Sequence, residues 1–583
     1  MMTYQFNWAN LLALYPLWRR RAMRLAGLLV RNYKLIGATA CGIRIDDIVV
    51  LVGRNNSGKS TILDAYEVFA SGGKELDESH FHDAVTKNPI EITGVFNSIS
   101  EEDKEIIGKK WTHDDQEYGK CIKVRWVWWK PGIKGQKQSY DPVAGNFVDG
   151  GVGGWDSLIQ SRIPQPVRIR PTDPIDTTQT KIVSMLKDYV KSSLKSDAGS
   201  TKAAFEQIEI LAKKVFEDSK ASFDDVAQRI TANVSQVFPG TTIEVVPRSK
   251  DAIDEKLIAA DSYLRIGTGG NSATPLLLQG TGLQRALLWS TLSVMSETPG
   301  KKKTKAVEDV QRILLIDEPE AFLHPPTVRN ARESLYDFAL NNPEWQVIAT
   351  SHSPIFIDLS KDHTTIIRVD PTVTEQHFVS TDLISFDKDE RMHLKMVRAC
   401  NPVVNEFFFY ENVVLVEGPT EHLVVKHVAE KLGLEIHVID CMGKGNLPLF
   451  ARVLNHFKMP YLVIHDSDTP KFLRKGLMVS SGVWSLNEKI RDAALHSGLG
   501  QIFTQFPHFE GQFLDEELTG GKVDRVLDVL SATDSPEYEA VVATYTRVLK
   551  RDVAVFTTTE DAFETKRKAY VDAKNLHADP HWV

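Results

Sequence analysis

The segment that most constrains this chain is Gly53-Arg54-Asn55-Asn56-Ser57-Gly58-Lys59-Ser60. It follows an apolar, β-branched run at 43–51, expected to be one buried strand, and precedes a helical pattern at 61–70. A strand that breaks into glycines and restarts as a helix curls backbone N–H groups around an anion, at the positive end of a helix dipole. Nucleotide phosphates suit that cradle. Gly53, Asn56, Gly58 and Thr61 shape it, Lys59 reaches the β/γ-phosphates, and Ser60 ligates Mg²⁺.

Downstream, Ile313-Leu314-Leu315-Ile316 reads as a buried strand that delivers Asp317 to the same Mg²⁺ through its water shell. Glu318 follows, placed to polarise an attacking water. Another strand, 347–350, leads into Ser351-His352-Ser353-Pro354, where His352 is set to sense the γ-phosphate. An isolated histidine is more often structural. Its place in this ordered series gives His352 the functional reading.

A second constellation begins at Val413-Val414-Leu415-Val416-Glu417-Gly418-Pro419-Thr420-Glu421. An apolar strand ends at Glu417, and Glu421 enters the next helix. Tyr461-Leu462-Val463-Ile464-His465-Asp466-Ser467-Asp468 repeats the logic. Asp466 and Asp468 are two apart and would point the same way on an extended strand end. Parallel strands open their C-terminal ends on one sheet edge, so these carboxylates can converge. Oxygen ligands of this kind suit Mg²⁺ or Mn²⁺, and two such ions can drive phosphodiester hydrolysis. Any single pair of acids could merely cap a strand and a helix. Two pairs, each after a β run, favour a metal site.

The 583 residues have room for several domains. A net charge of -8 excludes a globally basic nucleic-acid binder but not a local basic stripe. Cys41, Cys121, Cys400 and Cys441 form no CxxC pair, which fits a reducing cytoplasm. The apolar run at 9–18 is broken by Pro16 and followed by three arginines. It reads as neither a signal nor a span, so 1–22 is taken as an N-terminal extension. Strands are expected at 23–30, 90–96 and 122–128. The last has Ile122, Val124, Trp126 and Trp128 on one face, more simply core than a base-stacking platform. Residues 144–155 read as a loop. A first unit, 23–174, resumes at 241–395 after a helical insertion, 175–240, whose periodicity includes Val226, Ile230 and Val234 and which suits dimerisation. Lys301, Lys302, Lys303 and Lys305 form a basic loop. Alternating strands and helices predict a mostly parallel sheet. A second α/β unit spans 396–583.

The phosphate loop, the segment Leu314 to Pro325 and His352 resemble the ABC-type ATPase head of the structural-maintenance-of-chromosomes, RecF and overcoming-lysogenization-defect (OLD) groups. The two acid pairs, with Gly443-Lys444-Gly445-Asn446 between them, resemble a Toprim domain. An ABC head followed by Toprim is the order of the OLD family. The resemblance implies a RecF/SMC-like P-loop head with an inserted helical element, plus a C-terminal Toprim α/β domain with a helical tail. It implies ATP sandwiched between two heads of a homodimer or higher homo-oligomer. Gln279-Gly280-Thr281-Gly282-Leu283-Gln284-Arg285 stands where the family usually has LSGGQ, and Thr281 and Gly282 would contact the partner head's nucleotide.

The resemblance also implies metal-dependent cleavage of DNA in anti-phage defence, gated by ATP. Glu417, Glu421, Asp466 and Asp468 would bind metal, with Glu421 and Asp466 central to catalysis. Glu510 supplies the further acid that the family leads one to expect, and a catalytic lysine is expected among Lys550, Lys566, Lys568 and Lys574. The resemblance leaves room for a helicase or other operon partner. The alternative is a non-catalytic ATP-dependent clamp or repair adaptor of RecF type. A topoisomerase or primase would require a separate tyrosine domain or a zinc motif.

Overall fold

The computed structural model describes residues 23–149, 162–171, 224–246, 263–268, 272–280, 311–359, 364–370, 378–381, 386–400, 404–516 and 520–582, with isolated residues between 179 and 384. The extension 1–22, most of the helical insertion, Thr281 and the lysine-rich loop lie outside them.

The first strands are β1 (Arg24–Arg31), β2 (Cys41–Arg44), β3 (Ile48–Val52), β4 (Ile90–Asn97), β5 (His113–Asp115), β6 (Gly119–Trp128), β7 (Gln136–Asp141), β8 (Asn146–Asp149) and β9 (Gln165–Ile169). Seven of them form an antiparallel sheet in the order β2-β1-β4-β6-β7-β8, with β5 on β6. This sheet departs from the expectation of a mostly parallel fold. The run 43–51 is also not one strand. The polar pair Asp46-Asp47 interrupts it, so β2 joins the antiparallel sheet while β3 crosses to a second sheet. Likewise 144–155 is not all loop, because Gly145 turns the chain at φ 68° and β8 pairs back on β7.

Later head strands are β10 (Thr241–Val246), β11 (Tyr263–Thr268), β12 (Thr274–Pro275), β13 (Arg312–Asp317), β14 (Trp345–Ser351), β15 (Thr364–Val369) and β16 (Phe378–Ser380). The second sheet runs β16-β15-β3-β14-β13-β9 and is parallel except at β16. Every residue of β3 and β14 is buried, as central strands covered on both faces must be. The helix Lys59–Ala70 lies between the sheets, and Ile62, Tyr66 and Phe69 share a core with Ile122, Val124, Trp126 and Trp128. The tryptophan face is therefore core. Val226, Ile230 and Val234 are buried in the helical stretch at 224–237, in keeping with their spacing.

The C-terminal strands are β17 (Val413–Val416), β18 (His437–Asp440), β19 (Tyr461–Asp466), β20 (Lys471–Arg474), β21 (Leu477–Ser480) and β22 (Gly500–Gln505). Four make a wholly parallel sheet, β18-β17-β19-β22, and β20 and β21 form a separate hairpin. The short helical segment Val404–Phe409 joins head to Toprim unit. Phe407 and Phe408, both fully buried, belong to one continuous apolar cluster with Phe356 of the head and Val413 and Leu415 of β17. Phe407→Ala should therefore cost about 3–5 kcal/mol, the usual price of emptying an aromatic core position. Urea unfolding, followed by a probe in each unit, should show both units losing stability together.

Candidate functional site

In the phosphate loop, Gly53, Asn56 and Gly58 sit at φ 142°, 60° and 101°. A Cβ on Gly53 would lie 2.4 Å from the Val369 carbonyl oxygen, so only glycine lets β15 and the loop approach. Lys59 Nζ donates to the carbonyls of Gly53 (2.9 Å) and Arg54 (2.7 Å), closing the loop on itself. Burial draws the Lys59 ammonium down to about 8, against the opposing pull of Glu318, Glu320 and Asp317. Thr61 is buried in the first helical turn.

Register carries the second motif to this loop. Asp317 pairs with Thr350 across β13 and β14. Asp317 Oδ1 accepts hydrogen bonds from Ser60 Oγ (2.9 Å) and Thr350 Oγ1 (3.1 Å). Its other oxygen is ion-paired to Arg168 of β9, which also reaches Asp64 at 3.2 Å. Glu318 follows at φ 46° and faces His352 Nε2 at 3.5 Å. Burial, then the charge of Lys59, press His352 down to about 4, so the ring is neutral near pH 7. Glu320 accepts the backbone N–H groups of His352 (2.7 Å) and Ser353 (3.1 Å) and the Ser351 hydroxyl (3.0 Å), fixing that turn. Gly282 packs on the segment after β13, where a Cβ would meet Leu323 at 2.4 Å.

The nucleotide site also touches the junction. Arg54 of the phosphate loop is ion-paired with Glu411, two residues before β17. The ring of Phe409 lies 6.5 Å from that of His352. Buried Asn405 donates to the Ile357 carbonyl at 2.8 Å, and His437 of β18 contacts the Val404 carbonyl at 3.3 Å.

The Toprim acids gather on the C-terminal edge of the parallel sheet. Glu417 follows β17, Glu421 sits in the first turn of the helix Pro419–Leu432, and Asp466 ends β19. Glu510 enters the short helix Phe509–Phe513 after β22. Burial, then repulsion among the acids, pushes Glu421 up to about 8 and Asp466 well above its ordinary range. Burial likewise lifts Glu417 to about 7, with Lys444 pulling the other way. Gln505, the register partner of Asp466, donates its amide to Asp466 (3.0 Å) and Glu421 (3.4 Å). Tyr545 donates to the Gln505 oxygen at 2.7 Å, which turns the NH₂ group toward the acids.

Asp468 is not on an extended strand end. It sits at φ 60° and binds buried Lys444 at 2.6 Å, while its charge still acts on Glu417 and Asp466. Burial opposes ionisation of Glu510, but hydrogen bonds from His508 and its own backbone N–H, with Lys522 at 3.2 Å, hold it down at about 2. Glu417 Oε2 and Glu510 Oε1 are buried without a hydrogen-bond partner. Two orphaned carboxylate oxygens among repelling acids fit a divalent cation. Among the described residues, the lysines bonded to these acids are Lys522 and Lys444. Of the C-terminal candidates, Lys566 donates to the Val555 carbonyl and Lys574 pairs with Asp515. Lys522, Gln505, Tyr545 and Arg168 carry no local motif. Each reaches its partner only through the fold.

The family model described as the overcoming lysogenization defect protein-like TOPRIM domain matches 408–468, and the AAA ATPase domain model matches 23–145 and 155–357, together more than half the chain. The chain belongs to the overcoming-lysogenization-defect family. It is 24% identical over 481 residues to the Old nuclease of Escherichia phage P2, covering 76% of this chain and 77% of that protein. It is 24% identical over 271 residues to the OLD nuclease of Thermus scotoductus, and 23% identical over 278 residues to the endonuclease GajA of Bacillus cereus. These matches cover 44% and 43% of this chain, and 49% and 45% of those proteins. An SMC head bound to the C-winged helix domain of ScpA is 15% identical with a TM-score of 0.39, covering 63% of this chain and 99% of that one. No helix among the described residues is long and apolar enough to cross a membrane.

The acid cluster predicts a pH signature. Glu417 and Glu421 have an ordinary value of 4.5 and are raised in the fold, so the folded state resists their ionisation. Below pH 4.5 they cost nothing; as pH rises to about 8, stability should fall. Melting temperatures of metal-stripped protein should decline across that window, and Mg²⁺ or Glu421→Gln should flatten the decline.

Proposed function

We propose that this family member is a DNA endonuclease that hydrolyses phosphodiesters with Mg²⁺ or Mn²⁺ held by Glu417, Glu421, Asp466, Asp468 and Glu510. The observation that carries the reading is the convergence of buried Glu421 with half-buried Glu417 and Asp466 on one sheet edge, where desolvation and mutual repulsion disfavour each as an anion. A pair of divalent ions there would supply an activated water and offset charge on the leaving oxygen. Gln505 orients Glu421 and Asp466, Lys444 holds Asp468, and Lys522 places a positive charge beside Glu510 where an entering phosphate would meet it. The nuclease names of the P2, Thermus and Bacillus relatives support the same reaction.

The head, in this reading, binds ATP on the cradle of Gly53, Asn56, Gly58, Lys59, Ser60 and Thr61, with Mg²⁺ on Ser60 and Asp317. Glu318 and neutral His352 face the γ-phosphate, and Gly282, with Thr281, serves a partner head in a homodimer. Nucleotide gates cleavage through the junction. A phosphate drawn into the loop competes for Arg54, and a shift at His352 bears on Phe409, so the C-terminal end of the segment 404–411 feels the ligand at two points. A role in defence against phage belongs to the proposal and is drawn from the family resemblance.

Supercoiled plasmid with Mg²⁺ or Mn²⁺, with and without ATP, tests this. Asp466→Ala should lower cleavage at least about 100-fold, since even outer partners of metal ligands are worth 10–100-fold. Lys59→Ala should abolish the response to ATP. Intact plasmid in every lane would reject the endonuclease reading in favour of the clamp. Glu411→Ala should cost less than about 1 kcal/mol of stability, as exposed ion pairs do. It should nevertheless shrink the ATP effect several-fold, which unfolding and cleavage assays would separate.

A further inference from the structure

The hairpin β20–β21 begins three residues after Asp468 and is not explained by the metal site. Its strands pair from Lys471↔Ser480 to Arg474↔Leu477, leaving the two-residue turn Lys475-Gly476. Both turn residues lie at positive φ, 52° and 81°, the conformation that matches the twist of a tight hairpin. A lone two-stranded ribbon is marginal in water unless something packs on it. Here Leu473 is 62% exposed, Leu477 70% and Phe472 41%. Apolar tips so exposed mark a surface that meets a partner.

The charge says which partner. From Thr469 to Asn487 there is no aspartate or glutamate, in a chain that carries 77. Lys471, Arg474 and Lys475 fall in that stretch, and among the described residues none of them has a carboxylate partner. An acidic protein has concentrated unpaired cations on a projecting element beside its metal-binding acids. The base of that element is held firmly. Ser481 N–H donates to the Pro470 carbonyl (2.8 Å), Lys471 N–H to that of His581 (3.1 Å), and the Asn487 amide to that of Ser467 (2.9 Å), between Asp466 and Asp468. Trp484, just beyond, packs on Phe563 and Trp582. The hairpin thus keeps a fixed relation to the carboxylates while its tip stays in solvent. Four residues per strand extend about 14 Å, comparable to the roughly 12 Å width of a DNA major groove.

We propose that β20–β21 is a DNA-binding arm. Arg474 and Lys475 hold backbone phosphates at the tip, Lys471 holds one nearer the metal acids, and Leu473 and Leu477, on opposite faces of the ribbon, press on the apolar parts of the two groove walls. The arm rests on the endonuclease reading for the identity of its ligand, and it presents the duplex to the acids beyond its base.

The test uses the full chain, a short fluorescein-labelled duplex without divalent metal, and anisotropy across a salt series. R474E/K475E should bind about ten-fold more weakly or worse, with the slope of log affinity against log salt reduced by about two, one for each phosphate contact removed. L473S/L477S should weaken binding with the slope unchanged. Asp466→Asn should bind like wild type and fail to cut plasmid. Melting temperatures of the arm variants should match wild type, because the substituted side chains are exposed. If the arm variants bind and cleave like wild type, the arm is rejected and the nuclease stands. If wild type binds through the arm but never cleaves, the nuclease reading fails and the arm survives. If wild type neither binds nor cleaves DNA, both fall. A changed oligomeric state on size exclusion, with DNA binding intact, would overturn the arm in favour of a contact between copies of the chain.

Discussion

Phe407 and Phe408 stack on each other between two parallel sheets, and the orientation of both chemical sites depends on that seam. Burial of aromatic surface is worth several kcal/mol per ring, far more than any single exposed ion pair. The seam therefore sets the relation between head and Toprim unit, and the polar contacts around it do not have to hold the units together. The Arg54–Glu411 pair, more than half exposed on both sides, is weak enough to open, as the proposed nucleotide gating requires.

The two sites solve the same electrostatic problem differently. Both place acids at the C-terminal ends of parallel strands, where the chain leaves the sheet and side chains meet solvent. In the head, Asp317 is paired with the chain's own Arg168 and tied to Ser60 and Thr350. On the Toprim edge, Lys444 serves Asp468 and Lys522 serves Glu510, but among the described residues no cation is ion-paired with Glu417, Glu421 or Asp466. That asymmetry is the physical ground for proposing a divalent ion at the Toprim edge.

Much of this was legible along the chain because its chemistry is local. A phosphate loop needs its glycines, lysine and serine within eight positions, and a strand that delivers an acid needs its apolar run immediately before it. The ordering of these motifs was enough to name the family. The antiparallel sheet was hidden because no strand carries its partner's direction in its own sequence, and the turn at Asp46-Asp47 lies within what reads as one apolar run. Lys522 was not legible as the partner of Glu510, because sequence distance says nothing about which cation a fold returns to a carboxylate.

The sequence by itself determined the nucleotide cradle, the strand-end acids and the order of head and Toprim unit, since each rests on neighbouring residues whose backbone geometry is set locally. Tertiary structure alone decided that Arg168 answers Asp317, that Tyr545 turns Gln505 toward Asp466 and Glu421, that Lys522 meets Glu510, and that Arg54 meets Glu411. Most of these partners are tens to hundreds of positions apart, and Lys522, twelve from Glu510, sits in a different helix. Sheet register and burial bring them together, and neither can be read from any single segment of the chain.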